Sequence, residues 1–159
     1  MRSNLFVLIH EDSQRRWLYG VGMEQLKKWF KTIFKSTADK QSEALGERGE
    51  NLAAKFMRNN GYKILERNFR TQVGEIDIVA RLGKVLVFVE VKTRAYDDPT
   101  PEEQVNQTKM HQITKAAKVY LTRFGQSPPP ARIDIIAVVW PQGHEPIIRH
   151  HEHAFEATF

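Results

Sequence analysis

The chain has 159 residues, of which 41% are hydrophobic and 27% charged, enough apolar material for one packed domain and too much for wholesale disorder. It contains no cysteine, which excludes a disulfide scaffold and a thiolate zinc site and fits a reducing cytoplasm. A formal net charge of +5 favours an acidic polymer or an anionic membrane surface as partner, and no apolar run approaches the roughly 20 residues that a membrane span requires.

In chain order, residues 1–41 read as an extension and residues 42–159 as the folded domain. Met1 to Gly22 has no clear period, and its apolar run from Leu5 to Ile9 is too short for a signal-peptide core. Met23 to Lys35 fits a short amphipathic helix, with Leu26, Trp29, Phe30, Ile33 and Phe34 in one stripe and Lys27, Lys28, Lys31 and Lys35 on the rest. Such a helix packs on its own domain or a second copy, or lies on lipid or nucleic acid with its lysines engaged. The polar stretch Ser36 to Ser42 reads as a linker.

A helix is expected from Ser42 to Asn60, ended by Gly61 at the position where helices favour glycine. Its buried stripe is Leu45, Gly49, Leu52, Ala53 and Phe56. Glu50 stands on the flank of that stripe, where a glutamate either snorkels to solvent or reaches into a site. Tyr62 to Arg70 then reads as an edge strand carrying basic residues.

The next stretch organises the rest. Glu75 to Arg81 alternates, with Ile76, Ile78 and Ala80 on one face and Glu75, Asp77 and Val79 on the other. After a tight turn at Leu82-Gly83-Lys84, Val85 to Val91 is apolar on both faces, the pattern of a buried central strand. Val85, Val87, Val89 and Val91 share one face, and Leu86, Phe88, Glu90 and Lys92 the other. The strand thus ends in a carboxylate and an ammonium on the same side. Charges there are costly unless paired or bound to something.

After a loop from Ala95 to Pro99, Thr100, Pro101 and Glu103 make a capping box that opens a helix running to Phe124 and stopping at Gly125. Its core stripe is Val105, Ile113, Ala117, Tyr120, Leu121 and Phe124. Lys109 sits on that stripe, where it either snorkels past the helix edge or points at a bound anion. Beyond the proline-rich break at Ser127 to Pro130, Arg132 to Trp140 is a nearly all-apolar strand. Glu145 to Arg149 returns as its antiparallel partner after the turn Pro141 to His144. His150-His151-Glu152-His153 has no second ligand group at metal-binding spacing and reads as a polar chain end.

Asp77 and Glu90, on one face of adjacent antiparallel strands, can supply two carboxylates to a hard divalent cation such as Mg2+ or Mn2+, which takes oxygen ligands. The Val91 carbonyl is available as a further ligand, and Glu50 and Glu75 are candidates for a second cation or its water shell. Lys92 projects beside Glu90 and can orient a water or stabilise developing charge. A lone Glu-x-Lys at a strand end is more often an ordinary cross-strand ion pair. The ensemble of Asp77, Glu50, a central apolar strand and a basic chain moves the reading towards a metal-dependent phosphodiesterase-type site.

Asp77…Glu90-Val91-Lys92 resembles the PD-(D/E)xK signature of the restriction-endonuclease-like superfamily, with Ile76 standing where the signature has its proline. The longer string GERGENLAAKFMRNNGYKILERNFRTQVGEIDIVA…LVFVEVKTR closely resembles the YraN family of bacterial proteins. The match extends over about Leu45 to Val139 and includes Lys109 and Arg132-Ile133-Asp134. This resemblance implies an α/β/α sandwich with a mixed central sheet, nearest in pattern to archaeal Holliday-junction resolvases, which are dimeric and magnesium-dependent. Carried over by position, Glu50, Asp77 and Glu90 would be metal ligands and Lys92 the catalytic lysine. The expectation is a magnesium- or manganese-dependent endonuclease hydrolysing DNA, branched DNA included, with Lys109, Arg94 and Arg70 on phosphates. RNA as substrate and a homodimeric state stay open. The alternative from another class is a non-catalytic nucleic-acid-binding or scaffolding module that retains the fold. A third is a membrane-surface adaptor using Trp29 and Phe30.

Overall fold

The computed structural model describes the backbone of residues 23–157, and the side chains of Lys28, residues 40–103 and residues 105–157. The chain divides into two units, residues 1–38 and 39–159. In the first, the backbone is helical from Met23. Met1 to Gly22 and the side chains of the stripe Leu26, Trp29, Phe30, Ile33 and Phe34 lie outside the described residues.

Helix α1 is continuous over Met23–Asn59, so the linker expected at Ser36 to Ser42 is helical. That stretch contains neither glycine nor proline, and Ala38, Lys40 and Gln41 are good helix formers; polarity alone breaks nothing. The end of α1 is as expected. Gly61 takes φ +85°, and the Tyr62 N–H reaches back to the Met57 carbonyl at 3.0 Å.

Five strands follow: β1 (Lys63–Thr71), β2 (Gly74–Leu82), β3 (Val85–Arg94), β4 (Ala131–Val139) and β5 (Ile147–His151). They form one sheet in the order β1-β2-β3-β4-β5. Only β3 and β4 run parallel; the other neighbours are antiparallel, so the sheet is mixed and β3 is central. Helix α2 (Gln107–Leu121) makes the crossover between the parallel pair.

The helix expected from Thr100 starts later. Glu103 does return its carboxylate to the Thr100 N–H at 3.1 Å, but this closes only a 3-10 turn at Glu102–Gln104. The chain then re-enters as α2 with Asn106 as its cap, whose Oδ1 accepts from the Lys109 N–H at 3.0 Å. Asparagine at a cap outcompetes continuation of the first turn. At the other end Phe124, expected in the core stripe, is 43% exposed in a second 3-10 turn.

Alternate residues of β3 face different helices. Val87, Val89 and Val91 pack with Ala53, Ala54 and Met57 of α1, while Leu86 and Phe88 pack with Ile113, Ala116, Ala117 and Tyr120 of α2. The two helices therefore cover opposite faces of the sheet. In β2, Ile78 and Ala80 belong to the α1 side, but Ile76, expected with them, lies on the α2 side beside Phe69. The change of face falls between the pairs Arg67↔Ile78 and Phe69↔Ile76, where Asn68 has φ +53°; the register itself shifts earlier, between Ile64 and Glu66.

No helix among the described residues is long and apolar enough to cross a membrane.

Candidate functional site

The site lies where β2 and β3 part. Their pairing runs from Leu82↔Val85 to Ile78↔Val89 and stops one rung short of Asp77 and Glu90. Past that point the Val91 N–H is taken by the Asp77 side chain, Oδ2, at 2.7 Å. In an extended strand the N–H and C=O of one residue point to the same edge, so the Val91 carbonyl also faces the side that β2 has left. Burial pushes the Asp77 carboxyl above its ordinary range; the Val91 N–H and the Lys109 ammonium oppose this, and the Glu75 charge adds to it.

Glu90 is buried, 1% exposed. Two ammonium groups bracket it. Lys92 Nζ lies 3.4 Å from Oε1, and Lys109 Nζ lies 3.2 Å from Oε2. The second contact is an ion pair without a well-directed hydrogen bond, so Oε2 is buried and lacks a hydrogen-bond partner. Burial, followed by the Asp77 charge, pushes the Glu90 carboxyl up to about 7, with Lys109 and Lys92 pulling the other way. The Asp77 charge thus acts on Glu90. Lys109 also lies 3.7 Å from Glu75 Oε1, and this crowd of carboxylates raises its ammonium above the usual range against the opposing effect of burial.

Glu50 reaches the group from α1. Its carboxyl is raised, first by burial and then by Asp77, and is steadied by a hydrogen bond with Asn68 and by Arg67. Arg67 Nη2 lies 3.7 Å from Glu50 Oε2 and its Nη1 donates to Asn51 Oδ1 at 2.8 Å. The approach of α1 depends on Gly49. A Cβ there would overlap Thr93 Oγ1 and come within 2.8 Å of Thr93 Cβ, in the strand that carries Glu90 and Lys92. Asn68 and Arg67 were not singled out from the sequence. The one available signal was asparagine inside a strand, a residue tolerant of the left-handed region.

The remaining predicted residues are less central. Arg70 is mostly exposed and pairs with Glu75 at 3.5 Å, at the rim of the group. Arg94, two residues beyond Lys92, donates from Nη1 to the Thr93 carbonyl at 2.9 Å. The structure thus gathers Asp77, Glu90, Lys92 and Lys109, brings Glu50 alongside, and leaves Arg70 and Arg94 at the edges.

Among the described residues no three His, Asp or Glu side chains stand close enough together to share an ion as they are placed. The donor chemistry nonetheless suits a hard cation. Two largely buried carboxylates and an open strand carbonyl are all oxygen donors, and one of their oxygens is buried without a hydrogen bond.

A second polar group lies on the opposite face. Asp134 is fully buried and pairs across the sheet with Val89, on the α1 side. Arg132 Nη2 donates to its Oδ2 at 3.1 Å, Arg132 Nε lies 3.1 Å from Oδ1, His150 Nε2 lies 2.9 Å from Oδ2, and the His153 N–H donates to Oδ1 at 3.0 Å. Arg132 also donates to the Tyr62 hydroxyl at 2.9 Å, which in turn donates to Glu152 at 3.1 Å. The segment expected to be a polar chain end is therefore integrated: β5 extends through His151, and His150 and His153 lock onto a buried charge. Sequence spacing could not show this, because Asp134 is brought to them by the fold. Nearby, Arg149 donates to Asp97 at 2.6 and 2.8 Å and to Glu102 at 2.7 and 2.9 Å, fastening the loop that follows β3.

These features define the protein as an α/β chain with a five-stranded mixed sheet and a carboxylate–lysine group at the split between its second and third strands. Residues 49–138 match the model of a family described as "Uncharacterised protein family UPF0102". A UPF0102 protein of Geobacter metallireducens is 45% identical over 119 residues, covering 74% of this chain and 97% of the relative. One from Geobacter sulfurreducens is 46% identical over 119 residues (74% and 93%), and one from Nocardia farcinica 41% over 120 residues (75% and 93%). The chain belongs to the UPF0102 family, which is the YraN family that its sequence resembles.

Proposed function

We propose that this chain is a metal-dependent nuclease-like protein that hydrolyses DNA phosphodiester bonds, with branched DNA among its substrates. The observation that supports this reading is that Asp77 and Glu90 stand at the rung just past Ile78↔Val89, where β2 and β3 stop pairing, with Lys92 beside the Glu90 carboxylate. A mixed sheet with one helix on each face supports the α/β/α sandwich of the restriction-endonuclease-like superfamily that the signature implies.

In this reading Asp77, Glu90 and the Val91 carbonyl hold Mg2+ or Mn2+, with Glu50 assisting. The cation supplies Lewis acidity at the phosphate and lowers the pKa of bound water. Lys92 orients the attacking water and stabilises developing charge; Lys109, Arg94 and Arg70 meet phosphate oxygens. Residues 42–159 form the nuclease-like domain and residues 1–41 an extension to it, acting on nucleic acid in the cytoplasm.

One observation favours a second reading, a nucleic-acid-binding module without catalysis: the Glu90 carboxylate is already neutralised by two lysines. The two part in one assay. Purified protein with Mg2+ or Mn2+ is offered single-stranded, duplex, flap and four-way-junction DNA, beside Glu90→Ala. Metal-dependent product from the wild type alone supports the nuclease. Salt-sensitive binding without product, equal in both proteins, supports the module.

A further inference from the structure

Lys109 is the least expected charge in the carboxylate group. It is the third residue of α2, where a positive charge opposes the helix dipole, so the helix itself does not favour it there. What holds it are carboxylates. Its Nζ lies 3.2 Å from Glu90 and 3.7 Å from Glu75, and Asp77 adds its attraction. Lys92, fixed two residues from Glu90 on the same strand, lies 3.4 Å from the other Glu90 oxygen. The Lys109 ammonium therefore sits against an oxygen of Glu90, one of the proposed ligands, with Glu75 on its other side. Two cations at one carboxylate oxygen repel each other. The 3.2 Å contact with Glu90 Oε2 is an ion pair, which an ion of higher charge can replace.

The geometry points to Lys109 as a placeholder cation: its ammonium neutralises the Glu90 and Glu75 carboxylates until a divalent ion at Glu90 displaces it, and the freed side chain then serves a phosphate oxygen. The inference rests on the metal reading above and assigns Lys109 a part in cation binding that opposes, rather than assists, loading. Its flexible four-carbon stem permits the exchange without movement of α2.

The test is Mn2+ binding to the full chain, followed by loss of the free-ion electron paramagnetic resonance signal, for the wild type, Lys109→Met, Lys109→Gln and Lys115→Met. Lys115 is exposed on the same helix and serves as control. Both Lys109 variants are expected to bind Mn2+ about ten-fold or more tightly than the wild type, because a like charge has left the site. Mn2+ should also raise their melting temperature more than it raises that of the wild type, while Lys115→Met follows the wild type. Circular dichroism checks each fold, and Lys109→Gln, which keeps a donor for Glu90, carries the comparison if Lys109→Met does not fold. Wild-type binding with equal or weaker binding by the Lys109 variants overturns the inference and leaves the metal reading standing. No Mn2+ binding by any of the four proteins overturns both.

Discussion

The Asp77 carboxylate accepts the Val91 backbone N–H at 2.7 Å, a side-chain bond standing where the ladder between β2 and β3 has run out. One residue thus closes the split and supplies an oxygen to the proposed cation. The two roles separate by substitution.

Asp77→Asn keeps an acceptor for the Val91 N–H and should stay within about 1 kcal/mol of the wild type in urea unfolding. Asp77→Ala leaves that N–H unpaired, at a cost of about 1–3 kcal/mol. Both should lose metal-dependent cleavage. Wild-type cleavage by Asp77→Asn would remove Asp77 from the ligand set.

Glu90 sets a pH dependence of stability. Its carboxyl titrates at about 7 in the folded chain against an ordinary 4.5, so the folded state holds this proton more tightly than the unfolded state. Its stabilising contribution is therefore complete below pH 4.5 and is lost as the pH rises through 7. The loss is on the order of 3 kcal/mol, and Asp77 and Glu50, also raised, act with the same sign. The urea midpoint of the metal-free protein should fall over this range, and Glu90→Gln should flatten much of the slope. An unchanged slope in that variant would assign the effect elsewhere.

Gly49→Ala should destabilise by about 1–3 kcal/mol through overpacking against Thr93. Thr93→Ala, combined with it, should recover part of the loss by removing Oγ1. The double-mutant cycle reads the coupling directly, and strict additivity would contradict the close approach of α1 to β3.

Asp134 carries no proposed catalytic role. Arg132→Met strands its charge in the core and should cost about 3–5 kcal/mol. Whatever fraction folds should bind Mn2+ as the wild type does, since Asp134 and Glu90 face opposite helices. A change in Mn2+ affinity would show that the two polar groups communicate.

Much of the fold was legible because its signals are local. The doubly apolar Val85 to Val91 marked the central strand, Gly61 ended α1, and the short turn at Gly83 set β2 beside β3. The nearness of Glu90 and Lys92 followed from their spacing on one strand, whereas Asp77 stands where the alternation of β2 breaks. What escaped depended on competition or on distance. The cap at Asn106 overrode a capping box six residues earlier, and Ile76 changes face where β1 has an αL asparagine at position 68. Lys109 was placed on the buried stripe, yet its carboxylate partners come from two other elements. The Asp134 group draws on β4 and β5 together, which no spacing rule encodes.

The fork of Arg149 onto Asp97 and Glu102 spans 52 and 47 residues of sequence. The loop behind the Glu90 strand is therefore pinned from the far edge of the sheet, by a strand that contributes none of the proposed ligands. Removing Arg149 would keep every proposed ligand in the chain and release this clasp on the loop.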